Sequence, residues 1–71
     1  MKQTKGVQAL IRFFEENKRV KQVAIAQLLG VSEAYISLLL SGKKQPSLKT
    51  ACTIEAVTSG KVKASDWLIQ I

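Results

Sequence analysis

The segment from Gln22 to Ser41 restricts the fold of this 71-residue chain more than any other part of it. Its pattern predicts two short helices separated by Gly30, which can adopt a positive φ without a Cβ clash. Ala26 carries only a methyl group, so a second helix can approach the first closely there. Val31 and Ile36 then point back into a shared core. We therefore expect a tight crossing of two short helices at the centre of the fold.

The flanking sequence predicts an all-α bundle of four to five short helices. Apolar residues recur at spacings of three and four, which is the helical period. The predicted helices cover Thr4–Glu16, Lys21–Leu29, Ser32–Leu40 and Leu48–Thr58. The residues available for burial are Val23, Ala26, Leu28 and Leu29 on the second helix and Leu48, Ala51, Ile54 and Val57 on the fourth. Cys52 is expected to be a small buried residue.

Hydroxyl residues, glycine and proline mark the predicted helix ends. The predicted N-caps are Thr4, Ser32 and Ser47. Asn17 is expected to close the first helix in a left-handed conformation, while Gly42 and Gly60 end the third and fourth helices. Pro46 disfavours helical geometry at the residue before it, so the loop after Gly42 is well defined.

The last eleven residues, KVKASDWLIQI, admit two interpretations. A short helical turn could begin at Ala64 or Ser65, or Val62 and residues 68–71 could form strands. The segment is rich in large apolar side chains, some of which must close the core. The remainder is a candidate dimer surface, since exposed apolar patches usually pair. The residues considered for that surface are Trp67, Leu68, Ile69 and Ile71.

The charge balance favours a nucleic-acid partner. Lysine and arginine total 11 against 5 acidic residues, a formal net charge of +6. Such a balance also fits a generally basic surface, but the placement of the charges is more informative. Three basic residues precede the central segment and three follow it, at the ends where a docked motif meets phosphates. They are Lys18, Arg19 and Lys21, then Lys43, Lys44 and Lys49.

Several functional classes are disfavoured by composition. With one cysteine and no histidine, the chain has neither an internal disulfide nor a zinc site, and we expect no metal or cofactor. The few carboxylates and the short length argue against an enzyme. No apolar run is long enough to span a bilayer, and the N-terminus does not resemble a secretory signal. We expect a cytoplasmic protein of bacterial or phage origin, complete from Met1 and forming one domain over residues 1–71.

At Gln22–Pro46 the sequence resembles the Cro and phage-repressor group, the lambda-repressor-like helix-turn-helix family. The matching residues are Ala26, Gly30, Val31, Ser32, Ile36 and Ser37, followed by Ser41-Gly42-Lys43 and Pro46-Ser47. Ile54–Val62 is similar to the same region of small phage Cro-type regulators, so the likeness covers about Val7–Val62. The motif core would consist of Ala26, Gly30, Val31, Ile36 and Leu39. Cro-type proteins include all-helical and partly β members, and the helical pattern of Ala51–Gly60 favours all-α.

The resemblance implies that the second motif helix enters the major groove of double-stranded DNA. The positions matching base contacts are Ser32, Glu33, Ala34, Ser37 and Leu38. The positions expected at the sugar-phosphate backbone are Lys21, Gln22, Tyr35, Ser41, Lys43, Lys44 and Gln45. The family often has Gln, Arg, Asn or Lys at its base-contact positions. The side chains here predict sparser direct readout and a larger contribution from DNA shape.

Some of these side chains have alternative structural roles. Ser32 could instead cap the third helix, and Glu33 could simply favour the positive end of that helix. Tyr35 could donate its hydroxyl to a phosphate or pack its ring beside the turn. Leu39 belongs in the core, and one of its two leucine neighbours must then be exposed because successive helix residues lie about 100° apart.

The expected function is that of a sequence-specific transcriptional regulator. A domain this small reads few base pairs, so a homodimer on a near-palindromic operator is expected, with half-sites about one helical turn apart. The alternative is an antitoxin or a protein-interaction adaptor on the same fold, which would bind a co-encoded protein. An exposed leucine on the third helix and the apolar tail favour that alternative.

Overall fold

A computed structural model describes residues 3–69, and this part of the chain folds into five helical elements without a strand. Helix α1 spans Lys5–Glu16, α2 spans Gln22–Leu29, α3 spans Glu33–Leu40 and α4 spans Leu48–Val57. A short terminal 3-10 helix follows at Ala64–Leu68. The all-α prediction is therefore confirmed, and the tail adopts a helical turn at Ala64–Leu68, while residues 70 and 71 lie outside the described residues.

Hydroxyl side chains begin three of the helices as predicted. The Thr4 hydroxyl oxygen accepts a hydrogen bond from the backbone N–H of Val7 at 3.2 Å. Ser32 accepts from the N–H of Tyr35 at 3.2 Å, and Ser47 accepts from the N–H of Thr50 at 3.3 Å. Each hydroxyl satisfies a first-turn N–H that has no partner inside its own helix.

Two helices end at a glycine with positive φ. Gly30 has φ +72° and Gly42 has φ +77°. After α3, the N–H of Lys43 donates to the carbonyl of Leu38 at 3.0 Å, and that of Gly42 donates to Leu39 at 3.2 Å. This pair of bonds is a Schellman motif, which satisfies the last carbonyls of the helix and reverses the chain.

The ends of α1 and α4 differ from the prediction. Asn17 has φ −123° and is not left-handed. Instead, its side-chain amide donates to the carbonyl of Phe13 at 2.9 Å, which satisfies a terminal carbonyl without positive φ. At the end of α4, Ser59 already has φ +56°, and Gly60 follows with φ +82°. The left-handed turn therefore begins one residue before the predicted glycine.

Every helical element contributes to one core. The buried apolar residues are Val7, Leu10, Ile25, Ala26, Ile36, Leu39, Ala51, Ile54, Val62 and Trp67. Ile25 was not among the residues predicted for burial, whereas Val23 and Leu28 are exposed. Helix α2 is apolar around most of its circumference, so periodicity alone could not identify the face that packs against its neighbours.

Helix α4 also packs with a narrower face than predicted. Ala51 and Ile54 are buried, but Leu48 is 79% exposed because it lies in the first turn, beyond the core. Cys52 is exposed, not buried. It follows Ala51 directly, so a rotation of about 100° places it on the outer side of the helix.

The tail closes the core through Trp67, which is only 2% exposed. The indole lies against Gly6 of α1. The N–H of Lys5 donates to the carbonyl of Ile69 at 2.7 Å, joining the two ends of the fold. Trp67 is thus a core residue and not part of a dimer surface. Leu68 and Ile69 remain exposed, and Ile71 lies outside the described residues.

No single helix within residues 3–69 has both the length and the apolar character needed to cross a membrane. Taken together, α2 and α3 have the required length and apolar composition, but their axes are bent by 107° at the intervening turn.

Candidate nucleic-acid interface

Helices α2 and α3 cross at 107°, with Gly30 at the turn between them. Ala26 is 2% exposed, and the N–H of Val31 donates to its carbonyl at 2.9 Å. The small side chain lies where the second helix must pass close to the first. An angle of about 90–120° is the geometry in which such a pair can place its second helix in a DNA groove.

Helix α3 has two opposite faces of different character. Ile36 and Leu39 have no exposed surface and anchor the helix to the core. At about 100° per residue, the exposed residues of α3 and its C-cap fall within an arc of about 140° centred opposite that anchor. They are Glu33, Ala34, Ser37, Leu38 and Ser41, and each is exposed. Four of the five predicted base contacts therefore share one free surface.

Ser32, the fifth of these, precedes that surface as the N-cap of α3 and is also exposed. Its oxygen accepts from the N–H of Tyr35, so capping accounts for one lone pair. The hydroxyl hydrogen remains free to donate to an acceptor on DNA. Glu33 occupies the first turn, where a negative charge stabilises the helix. Both residues thus have the structural roles considered for them, and neither role prevents a contact to DNA.

The three consecutive leucines of α3 lie in three different environments. Leu39 is fully buried, Leu40 is half-buried and Leu38 is 39% exposed. The prediction that one neighbour of Leu39 faces outward is confirmed, and that residue is Leu38. Its side chain is the large apolar group on a face that otherwise consists of Glu33, Ala34, Ser37 and Ser41.

The loop after α3 presents three long polar side chains. Lys43, Lys44 and Gln45 are all exposed. Just before them, the Ser41 hydroxyl donates to the carbonyl of Leu38 at 3.0 Å, while its lone pairs remain available as acceptors. The loop therefore adds two positive charges next to the free face of α3.

The N-terminus of α2 differs from the starts of α1, α3 and α4. Its N-cap is Lys21, whose side chain makes no capping hydrogen bond. Gln22 is half-buried at the first helical position. Without a side-chain cap, the first-turn N–H groups remain suited to an anion such as a phosphate, and the positive charge of Lys21 adds to that attraction.

Tyr35 is half-buried between the core and the loop. Its ring packs against the core cluster, and the Lys44 ammonium lies 5.4 Å from the ring centroid. No sequence pattern predicts this contact, because the two residues are nine positions apart and belong to different elements. The Tyr35 ring thus packs against the core and lies near Lys44, and a contact of its hydroxyl with a phosphate stays a prediction.

The described residues do not suggest a metal centre, since residues 3–69 contain no group of three His, Cys, Asp or Glu side chains suited to hold an ion. The features available at this surface are instead a convex helix face, a basic loop and a helix N-terminus.

Comparison with protein families gives a match over most of the chain. The profile described as Helix-turn-helix matches residues 11–59, more than half of the chain. The matched region contains all of α2, α3 and α4, and it begins within α1. No curated protein and no solved structure shows a significant match.

Proposed function

Because the chain belongs to the helix-turn-helix family of DNA-binding regulatory domains, we propose that it is a sequence-specific transcriptional regulator of the Cro and repressor type. The observation that carries this proposal is the free face of α3. This face lies opposite the buried Ile36 and Leu39, and a basic loop follows the helix. Such a regulator acts where the genome lies, in the cytoplasm of a bacterial or phage-infected cell.

Base readout is assigned to the free face of α3 and to its N-cap. Ser32 and Ser37 can donate to or accept from base edges, and Glu33 can accept from a cytosine amino group. Ala34 and Leu38 can contact thymine methyl groups. None of these side chains forms the bidentate contacts that arginine makes with guanine. DNA shape at positions without direct contacts therefore supplies a large share of the specificity.

Phosphate contacts are assigned to two places that flank this face. Lys21 and Gln22 would bind one stretch of backbone at the N-terminus of α2. Ser41, Lys43, Lys44 and Gln45 would bind another from the loop. These contacts orient α3 in the groove but carry no sequence information of their own.

We further propose that two copies bind a near-palindromic operator and exclude polymerase or a competing repressor. One α3 helix reads only a few base pairs, so a second copy is needed for a site of useful length. The exposed Leu68 and Ile69, at 82% and 46%, are the candidates for contact between the copies. The two copies would associate on DNA, with half-sites about one helical turn apart.

The test is selection from random duplex DNA at near-physiological salt, followed by sequencing. A two-fold symmetric enriched site supports a dimeric operator-binding regulator and gives the half-site spacing. Binding without enrichment contradicts sequence-specific regulation.

A salt titration on the selected duplex tests the phosphate contacts. If about six cations per dimer neutralise phosphates, log affinity falls with log salt at a slope of about −5. A slope near zero contradicts the assignment of Lys21, Lys43 and Lys44 to the DNA backbone.

The exposed apolar side chains favour a second candidate, an antitoxin or adaptor that binds a co-encoded protein. Leu28, Leu48 and Leu68 are 64%, 79% and 82% exposed. Tight binding to the product of a neighbouring gene, combined with weak and salt-insensitive DNA binding, would favour this candidate. Binding to both DNA and that product would be expected of an antitoxin that regulates its own operator.

A further inference from the structure

The loop after α3 holds a lysine above an aromatic ring. The Lys44 Nζ lies 5.4 Å from the ring centroid of Tyr35. That distance is within the range of about 6 Å over which the negative face of an aromatic ring attracts a cation. Lys44 is otherwise exposed, so its contact with the ring restricts where its charge lies.

The ring itself has limited freedom. Tyr35 is half-buried and packs against the core cluster. Its backbone N–H donates to the Ser32 hydroxyl, which places the residue in the first turn of α3. The ring thus belongs to α3, the helix assigned to the groove, and its packing against the core restricts its movement.

The turn after α3 brings the lysine back to this ring. Gly42 has φ +77°, and the N–H of Lys43 donates to the carbonyl of Leu38. The chain therefore reverses after one left-handed residue, and Lys44 returns alongside the helix that it has just left. Few non-glycine side chains adopt the Gly42 conformation readily, so the contact depends on the turn as well as on the ring.

We propose that Tyr35 is a positioning residue for Lys44, and that Lys44, not the Tyr35 hydroxyl, contacts a DNA phosphate. A free lysine has a long, flexible side chain, which loses conformational freedom when its ammonium is immobilised. The ring reduces that loss by holding the ammonium beside the free face of α3 before DNA arrives. The inference rests on the proposed function, because the phosphate is that of the bound duplex.

A double-mutant cycle tests the inference. The variants are Tyr35→Phe, Tyr35→Leu, Lys44→Ala and the double variant Tyr35→Leu/Lys44→Ala, with Lys44→Arg as a conservative control. Affinity for a duplex of unrelated sequence is measured at one low salt concentration, where phosphate contacts dominate. Thermal unfolding of each variant establishes a temperature at which all are folded, since Tyr35 also packs on the core.

The expected affinities distinguish a role of the Tyr35 ring from a role of the Tyr35 hydroxyl. Tyr35→Phe keeps the ring and binds as the unmodified chain does. Tyr35→Leu binds about two- to fivefold more weakly, a range that corresponds to the strength of an exposed cation–π contact. The double variant binds no more weakly than Lys44→Ala, because the ring has no effect without its cation. Lys44→Arg retains the affinity, since a guanidinium can also lie over the ring.

A spectroscopic readout separates positioning from general stability. The side-chain ε-methylene protons of Lys44 should show an upfield ring-current shift in the free protein. That shift should persist in Tyr35→Phe and disappear in Tyr35→Leu.

Three results would overturn the inference. A loss of affinity in Tyr35→Phe would assign the phosphate contact to the hydroxyl. Additive losses in the double variant, or the absence of the ring-current shift, would show that the ring does not act through Lys44. In these cases the unmodified chain still binds DNA, so the proposed function survives. If the unmodified chain binds no duplex at all, both the proposed function and the role of Tyr35 are overturned.

Discussion

At the scale of single residues, Gly6 of α1 lies directly against the Trp67 indole. An ideal Cβ on Gly6 would lie 2.7 Å from Cε3 and 2.8 Å from Cε2 of the indole, and closer still to Cδ2. Gly6 lies inside α1, where glycine normally costs about 1 kcal/mol relative to alanine. The glycine is tolerated because the indole, which is 2% exposed, occupies the space that a side chain would need.

Gly6→Ala is therefore expected to destabilise the protein despite the better helix propensity of alanine. Overpacking typically costs about 1–3 kcal/mol, and we expect it to exceed the propensity gain of about 1 kcal/mol. Thermal or urea unfolding measures the difference. The matched control is Gly6→Ala in a Trp67→Leu background, where the smaller side chain should relieve the clash. A stabilising effect of Gly6→Ala in the unmodified background would contradict the packing argument.

Ser59 is the one described non-glycine residue with positive φ, at +56°. Left-handed geometry costs an L-residue about 1–2 kcal/mol, and glycine avoids this cost but loses more entropy on folding. We expect Ser59→Gly to raise the free energy of unfolding by about 0.5 kcal/mol, the difference between these effects. Chemical denaturation measures it, and Ser59→Val should be destabilising in the same assay. If Ser59→Gly were less stable than the unmodified chain, this would contradict backbone strain at Ser59.

At the scale of elements, α3 and α4 begin with the same device but differ in their proposed roles. Ser32 and Ser47 each accept from a backbone N–H three residues later, at 3.2 Å and 3.3 Å. Only Ser32 adjoins the surface assigned to DNA bases. Substituting each cap in turn therefore distinguishes an effect on helix stability from an effect on DNA contact.

Ser32→Ala and Ser47→Ala should each lower the free energy of unfolding by about 1 kcal/mol, the usual effect of losing an N-cap. Only Ser32→Ala should also weaken binding to the selected duplex. The expected loss is about three- to tenfold, as for one hydrogen bond. Both variants are compared at a temperature where they are folded. Equal affinities would limit Ser32 to capping and remove it from the proposed base contacts.

The free face of α3 and its loop should respond differently to substitution. Lys44→Ala should weaken binding to all duplexes and make the salt slope less negative by about 0.9 for each phosphate that is no longer neutralised. Ser37→Ala should change base preference little, because DNA shape contributes much of the specificity. Selection from random DNA with both variants measures these effects. A strong change in base preference for Ser37→Ala would contradict the large share of specificity assigned to DNA shape.

At the scale of the whole molecule, the tail has both a buried and an exposed side. The terminal 3-10 helix contacts α1 and α4, and the N–H of Ala64 donates to the Glu55 carboxylate at 3.1 Å. Trp67 turns inward, while its neighbour Leu68 is 82% exposed. Substitution of Trp67 therefore tests the stability of the fold, whereas substitution of Leu68 tests association between copies.

Trp67→Ala should cost about 3–5 kcal/mol, the range for removing a large buried aromatic side chain. Since a small domain has only about 5–15 kcal/mol of stability, this variant should be close to unfolding. Leu68→Ala should leave the melting temperature nearly unchanged but weaken cooperative binding to two half-sites. Calorimetry and titration of one- and two-half-site duplexes measure these effects. Unchanged cooperativity would contradict a role of Leu68 in dimer contact.

The features predicted correctly from sequence depend mostly on residues close together in the chain. A hydroxyl residue caps the N–H three positions later, and Gly30 and Gly42 turn the chain where no Cβ obstructs it. The same local rules placed the free face of α3, because Ile36 and Leu39 are the apolar residues that a short helix here must bury. They failed at Asn17, where a side-chain hydrogen bond replaced the expected left-handed residue.

Tertiary packing decided what local rules could not. Helix α2 is apolar on several sides, and only its neighbours determine that Ile25 is buried and Leu28 is not. The inward position of Trp67 depends on Gly6, far away in sequence, and the position of Lys44 depends on Tyr35 in another element. The sequence by itself thus determined where α1 to α4 begin and end to within about one residue, since the hydrogen bonds at helix ends are local. The structure decided which faces meet, since burial depends on contacts between distant parts of the chain.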